Sequence, residues 1–385
     1  MQYITAGESH GSELTAIVTG VPAGLSLSQA NLNSDLARRQ AGYGRGDRQK
    51  IEKDAAIITG GVRFGKTTGA PVCLKVINRD WENWASRMAP FGNPPDGYQR
   101  EVTPRPGHAD LVGALRTNTD DCRNILERSS ARETAARVAA GAIAKEFLGD
   151  VGVDVFSYVI SIGDASMDAP DLDTIDPCQV EFSEVRCPDE EASVRMMAAI
   201  DEAAAAGESL GGTFRVVATG LIPGLGSYAT GGERLTSRLG GAVLSIPAIK
   251  GVEFGMGFGA SRLPGSCVHD EIVLEEGSFR RTSNNAGGLE GGMTTGEPLV
   301  ITAAMKPIPT LMTPLRTVDL DTLEEAEASR ERSDVCAVPA CAVVAEAEVA
   351  LVLADAYTRA FGDTSMADLK ASMLSYLDRI STYSR

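Results

Sequence analysis

Short β-rich runs alternate along this chain with alanine-rich helical stretches, yet the order never settles into a repeating βαβ unit, and that irregularity constrains the fold most. "LTAIVTGVP" at 14–22 reads as a strand closed by a turn. "SQANLNSDLARRQ" at 28–40 reads as a helix capped by Ser28 that delivers Arg38 and Arg39 into the glycine-rich loop "AGYGRGDRQK". The strongest helix starts at Ser130 in "SARETAARVAAGAIAKEFLG", where Ser130 and Glu133 have the spacing of a capping box. Further helices are expected at 189–206, 233–244 and 341–361, and strands at 213–219, 251–258, 270–275 and 298–305. This mixture predicts an α+β fold rather than a doubly wound parallel sheet. No linker splits the chain, so a single domain over 1–385 is expected.

Composition then narrows the function classes. With 43% hydrophobic and 23% charged residues the chain reads as an ordinary soluble protein, cytoplasmic in the absence of an apolar membrane run or a basic–apolar leader. Its 36 Lys and Arg against 52 Asp and Glu give a net charge of −16, which opposes non-specific attraction to nucleic acid or anionic lipid. An anionic ligand must therefore meet a local cluster of basic groups. The seven cysteines are scattered and form no CxxC pair, and the three histidines, His10, His108 and His269, form no HExxH, so neither disulfides nor a metal is expected.

One nucleotide motif fails on context and another is missing. "GGVRFGKT" at 60–67 fits the P-loop pattern, but "TTGAPVCLKVIN" follows it, an extended segment where the mechanism requires a helix N-terminus. None of "GYGRGD", "GLGSYA" and "GMGFGA" completes GxGxxG. Basic residues instead gather beside Gly, Pro and small hydroxyls: Arg39, Arg45 and Arg48 in one loop, Arg105 before "PGHAD", Arg128 and Arg132 around Ser129 and Ser130, Lys306 in "KPIPT" and Arg332 in "RSD". Arginine's planar fork suits carboxylate and phosphate, and a helix start adds free amides, so the pattern points to a small polyanion. His10 in "GESHG" and His108 in "RPGHAD" stand next to glycines that let a ligand approach, whereas His269 reads as structural. Asp334 could cap a helix or serve the site; spacing alone leaves both readings open.

"GESHGSELTAIVTGVP", "ERSSARETAARVAAGAI" and "RSDVCAVPACAVVAEA", in this order, resemble the three signature segments of the chorismate synthase family. "RRQAGYGRGDRQKIEKD", "RPGHAD", "KGVEFGMGF" and "SNNAGGLEGGMTTGEPLVITAAMKPIPT" are similar to its connecting blocks, so the resemblance spans about 7 to 350. It implies a β-α-β sandwich with antiparallel four-stranded sheets around a helical core, assembled as a homotetramer. The implied reaction is the anti 1,4-elimination of phosphate from 5-enolpyruvylshikimate 3-phosphate to give chorismate, in the shikimate pathway of aromatic amino-acid biosynthesis. Reduced FMN is the implied cofactor, and it is not consumed.

Carried over by motif, His10 would hold the proton balance of the reduced flavin, His108 would be the general acid toward the leaving phosphate, and Asp334 would assist proton removal. Substrate contacts fall on Ser9, Arg39, Arg45, Arg48, Arg105 and Arg132. FMN contacts fall on Arg128, Ser129, Ser130, Pro247, Ala248, Gly291, Lys306, Pro307, Ile308, Pro309, Thr310 and Arg332. Pro247 and Pro309 stand where the family commonly shows polar or hydroxyl residues, which removes possible hydrogen bonds to the flavin. Without GxGxxG, an external reductant is expected to supply reduced FMN rather than NADPH bound by this chain. Another flavin-dependent lyase or oxidoreductase of a phosphorylated acid, and an inactive ligand-binding homologue, are the alternatives; both histidines and Asp334 in their motif contexts speak against the latter.

Overall fold

Strand Glu13–Thr19 buries Leu14, Ala16 and Val18, and its neighbour Val72–Ile77 buries Val72, Leu74 and Val76. The antiparallel register pairs Leu14 with Val76, Ala16 with Leu74 and Val18 with Val72, so the period-two pattern of each strand delivers one continuous apolar face. With Gln2–Ala6 and Ala56–Gly60 on its edges this makes a four-stranded antiparallel sheet. The computed structural model describes residues 1–46, 53–168, 170, 172–275, 277–330 and 333–384.

A second antiparallel sheet runs in the order Ile249–Phe254, Leu299–Met305, Gly212–Thr219, Asp154–Ile162 and Ala165–Ser166. It has a fifth strand beyond the four expected, because the chain reverses at Gly163, which takes the left-handed φ of 54°, and adds a two-residue edge. The helix Thr134–Asp150 packs on the first sheet and the helix Val338–Phe361 on the second, and the two helices pack on each other. Their alanine content has a steric reason. A Cβ on Gly141 would lie 2.3 Å from the Cβ of Ala347, so the crossing tolerates only small side chains. Most of the buried hydrophobic residues form one connected cluster from Met1 to Leu369.

Most expected elements are present with shifted ends. Ser28 caps the helix Gln29–Gln40 by accepting from the Asn31 amide, and Asp189 caps Glu190–Ala206. The helix expected from 233 starts at Leu235, and the one expected from 341 starts at Val338 with Pro339 in its first turn. The segment at 60–67 is a small hairpin of Val62–Arg63 and Lys66–Thr67 that leads into strand Val72–Ile77, with no helix after it. The strand expected at 270–275 forms a hairpin, Ile272–Glu275 with Ser278–Arg281, outside both main sheets.

The capping box does not form. Ser130 caps a 3-10 turn, Ala131–Glu133, and the α-helix begins at Thr134. Glu133 turns forward to Arg137 at 2.6 Å, a charge-assisted bond that outcompetes the neutral amide of Ser130. Among the described residues no helix is long and apolar enough to cross a membrane, and no group of three His, Cys, Asp or Glu is placed to hold a metal ion.

Candidate active site

The turn after the first strand, the C-terminus of helix Gln29–Gln40, the 105–110 loop, the break at 128–134, and segments 246–248, 305–310 and 333–334 converge on one cavity of about 1080 Å³. That exceeds the roughly 300–1,000 Å³ of a pocket for one drug-sized ligand. Among the described residues, seven arginines and one lysine line it, against three carboxylates, in a chain of net charge −16. The deficit of carboxylates is local, and it makes an anion site.

Of the residues singled out in the sequence, the cavity brings together Ser9, His10, Arg39, Arg45, Arg105, His108, Arg128, Ser129, Ser130, Arg132, Pro247, Ala248, Lys306, Ile308, Pro309, Thr310 and Asp334. Pro307 is exposed and outside the lining. Gly291 is at the exposed tip of the hairpin Leu289–Glu290 and Met293–Thr294, also outside it. Arg48 and Arg332 lie outside the described residues.

Each cavity histidine has its Nδ1 against a buried carboxylate. His10 Nδ1 is 2.9 Å from Glu127 Oε1, its backbone amide donates to Glu127 Oε2 at 2.8 Å, and its ring stacks on Trp84 with centroids 3.9 Å apart. Glu127 also accepts from Arg123 at 3.0 Å, and its carbonyl accepts from the Ser9 amide. Burial alone would raise the Glu127 pKa, but the hydrogen bonds from His10 and the charge of Arg123 hold it below the usual carboxylate value. His108 Nδ1 is 2.5 Å from Asp110 Oδ1, and Asp110 Oδ2 accepts from Arg105 Nε at 2.9 Å. Burial works against that carboxylate too, and His108 and Arg105 overcome it, so Asp110 is held far below the ordinary carboxylate range.

The arginines are pre-oriented by carboxylates rather than left loose. Arg132 donates to Asp54 at 2.7 Å and to Asn78 at 2.9 Å. Arg39 donates to Thr134 Oγ1 and the Ala131 carbonyl, with Nη1 3.6 Å from the same Asp54. Arg105 reaches Thr310 Oγ1 at 3.2 Å. Arg45 pairs with Asp334 at 3.1 Å, and Asp334 also accepts from the Gly46 amide at 2.7 Å. Arg128 is tied to the Thr5 and Gly7 carbonyls beside the cavity rim. Arg39 Nη1 and Arg45 Nε are buried with no hydrogen-bond partner among the described residues, a state that costs free energy until an acceptor arrives.

Backbone geometry shapes the opposite wall. Ala248 has φ of 71°, a left-handed conformation that is costly for a residue with a Cβ and that concentrates at functional sites. Its carbonyl accepts from the Lys306 amide at 2.9 Å, and Lys306 Nζ donates to the Gly107 carbonyl at 2.6 Å. A Cβ on Gly107 would come within 3.0 Å of that ammonium. Burial lowers the Lys306 pKa, and the neighbouring Lys250 adds to it.

Sequence reasoning passed over Trp84, Asp54, Asp110, Glu127, Arg137 and Arg330, all of which line the cavity or hold its residues. "HAD" and the Trp81–Trp84 turn "WENW" were the available signals for two of them.

The chorismate synthase family model matches residues 1–358. The chain belongs to the chorismate synthase family. Chorismate synthases from Rubrobacter xylanophilus and Geobacter sulfurreducens are 56% and 52% identical to it, over 98% and 100% of this chain and 97% and 100% of theirs. A crystal structure of chorismate synthase matches it with a TM-score of 0.79 at 40% identity, covering 99% of this chain and 98% of that one. Membership places the chain among the lyases of aromatic amino-acid biosynthesis.

Proposed function

We propose that the cavity catalyses the anti 1,4-elimination of phosphate from 5-enolpyruvylshikimate 3-phosphate to chorismate, with reduced FMN as a cofactor that is not consumed. The observation that carries this reading is the convergence of both motif histidines and of Arg39, Arg105 and Arg132 on one cavity. The substrate bears two carboxylates and a phosphate, and the flavin a further phosphate; the seven arginines and one lysine among the described lining residues supply matching charge.

The residues present fit FMN. The volume exceeds that of a single-ligand pocket, and the buried Arg39 Nη1 and Arg45 Nε await acceptors. Arg128, Ser129, Ser130, Pro247, Ala248, Lys306, Ile308, Pro309 and Thr310 would hold it. When bound, reduced FMN would supply the electron-donating and hydrogen-accepting chemistry that a ring hydrogen too weakly acidic for a side-chain base requires. Substrate contacts fall to Ser9, Arg39, Arg45, Arg105 and Arg132. As the imidazolium, His108 would give its Nε2 proton to the leaving phosphate and keep the Nδ1 proton, which Asp110 engages. His10, fixed by Glu127 and Trp84, would hold the proton balance of the reduced flavin, and Asp334 would assist proton removal from it.

The finer architecture belongs to the same reading. The two sheets and the helices between them make a β-α-β sandwich, and the chain acts as one domain in a cytoplasmic homotetramer. The exposed Ile4, Ile17, Ile57 and Ile77 on the first sheet's open face support assembly. An anaerobic assay with chemically reduced FMN and the substrate tests the function. Phosphate release with chorismate formed and no net flavin oxidation is expected; net oxidation of flavin would instead indicate an oxidoreductase, and no turnover an inactive homologue.

A further inference from the structure

We propose that Asp110 is a positioning residue: its carboxylate holds a proton on His108 Nδ1, so that the imidazolium donates from Nε2 and the neutral ring it leaves is the Nδ1–H form, and it clamps Arg105 beside that imidazole. The proposal rests on the reading of His108 as the general acid. His108 lines the cavity, whereas the Asp110 side chain is wholly buried behind it.

Two contacts compete for His108 Nδ1. Asp110 Oδ1 stands at 2.5 Å and Arg105 Nη2 at 3.1 Å. A guanidinium only donates, so Nδ1 either accepts from Arg105 or donates to Asp110. A lone pair on Nδ1 would face a buried carboxylate at hydrogen-bond distance, a repulsion that the longer contact to Arg105 does not offset. The proton therefore sits on Nδ1. Arg105 Nη2 has Asp110 Oδ1 itself as acceptor at 3.2 Å, and Nε has Oδ2 at 2.9 Å. No described residue bonds Nε2, since every contact of this ring runs through Nδ1.

The surroundings keep Asp110 charged. It is the first residue of the helix Asp110–Thr117, whose N-terminal dipole favours an anion. Among the described residues, charged groups about the imidazole include Arg105, Asp110 and Lys306, whose ammonium is bound to the Gly107 carbonyl. Cys122 lies behind Asp110, and burial, reinforced by that carboxylate, pushes its thiol up to about 11, so it contributes no second anion at neutral pH. One carboxylate thus orients both the proton donor and the neighbouring arginine.

The chain has three histidines, so nitrogen-15 labelling of histidine gives a spectrum in which the His108 tautomer is read directly, without turnover. The neutral ring in wild type is expected as Nδ1–H. In Asp110→Asn, whose amide can offer a donor to Nδ1, the population moves toward Nε2–H. The rate constant for turnover falls by up to ~10²- to 10⁴-fold, the range a positioned general acid contributes. Asp110→Glu keeps the acceptor and restores the Nδ1–H form with part of the rate. A wild-type ring that is Nε2–H overturns the proposal, and so does an Asp110→Asn protein with unchanged tautomer and rate. Should the variant fail to fold, the wild-type spectrum alone decides. Absence of chorismate formation by wild type would overturn the function and leave the tautomer result standing, so the two failures are distinguishable.

Discussion

Asp54→Asn is the sharpest test of how the site is built. The Asp54 side chain is fully buried between two arginines, with Arg132 Nη1 at 2.7 Å and Arg39 Nη1 at 3.6 Å. Burial, then the charge of Arg132, lowers the Arg39 pKa to about 9, and Asp54 is the first carboxylate pulling it back up. With charge centres roughly 4 Å apart and an effective dielectric of about 20, the Arg132–Asp54 attraction is worth ~4 kcal/mol. Removing one partner of a buried pair costs about 3–5 kcal/mol, because the other charge stays buried. An unfolding entropy of about 2.1 cal/mol/K per residue over 385 residues is ~0.8 kcal/mol/K, so the melting temperature should fall by ~4–6 °C. An anion that fills the cavity replaces the missing charge. The deficit should therefore shrink when inorganic phosphate is added, by more than phosphate stabilises wild type. Thermal melts of both proteins, with and without phosphate, measure this. A melting temperature equal to wild type, or a deficit that phosphate leaves unchanged, would refute the view that Asp54 balances two cavity arginines.

Four further outcomes are expected. Arg132→Ala should weaken substrate binding by about 2–5 kcal/mol in calorimetric titration, and Arg132→Lys should recover only part of it because a point charge cannot reproduce the fork. His108→Ala should slow single turnover by ~10²- to 10⁴-fold with substrate still bound, whereas His10→Ala should shift the flavin-linked limb of the anaerobic pH profile; wild-type behaviour of both would remove the imidazoles from the chemistry. Burial would raise the Glu346 pKa, but Lys145, Arg38 and Arg186 hold it far below its ordinary 4.5, so its stabilisation is complete above that pH and fades as pH falls below it. Glu346→Gln should therefore show a urea-melt deficit that is constant at neutral pH and shrinks in acid. Lys66→Ala, on an exposed hairpin, should leave substrate and FMN affinity unchanged, and nucleotide binding lost in that variant would revive the P-loop reading.

What the sequence made legible follows from how local each interaction is. The Ser28 cap involves an amide three residues away and is legible in the sequence, as are the strands whose side chains alternate. The capping box expected at Ser130 does not form because Glu133 has a second local partner, Arg137, whose charge decides the competition. The motif histidines and arginines announced themselves by residue type and glycine-rich context, and the cavity gathers nearly all of them. Their partners did not. Glu127 is 117 positions from His10, and Asp54 is 78 from Arg132; a buried carboxylate looks like any surface one until tertiary structure places it. Gly141 was equally silent, since an alanine-rich helix does not reveal which face meets Ala347.

The pairing of cavity cations with carboxylates explains how a chain of net charge −16 can hold a polyanion without disrupting itself. Unpaired, the convergent arginines would repel one another in the empty protein and turn toward solvent, and ligand binding would have to reorder each side chain. Asp54 holds Arg132 and faces Arg39, Asp110 holds Arg105, Asp334 holds Arg45, and Glu133 holds Arg137. Each carboxylate weakens the field felt by the ligand, but it also fixes the direction of a guanidinium and lowers the ordering cost on binding. The balance favours the ligand where donors remain unfilled, as at Arg39 Nη1 and Arg45 Nε. Selectivity then comes from the placement of those donors rather than from total charge, so a multiply charged anion of the wrong shape leaves them unfilled and binds weakly.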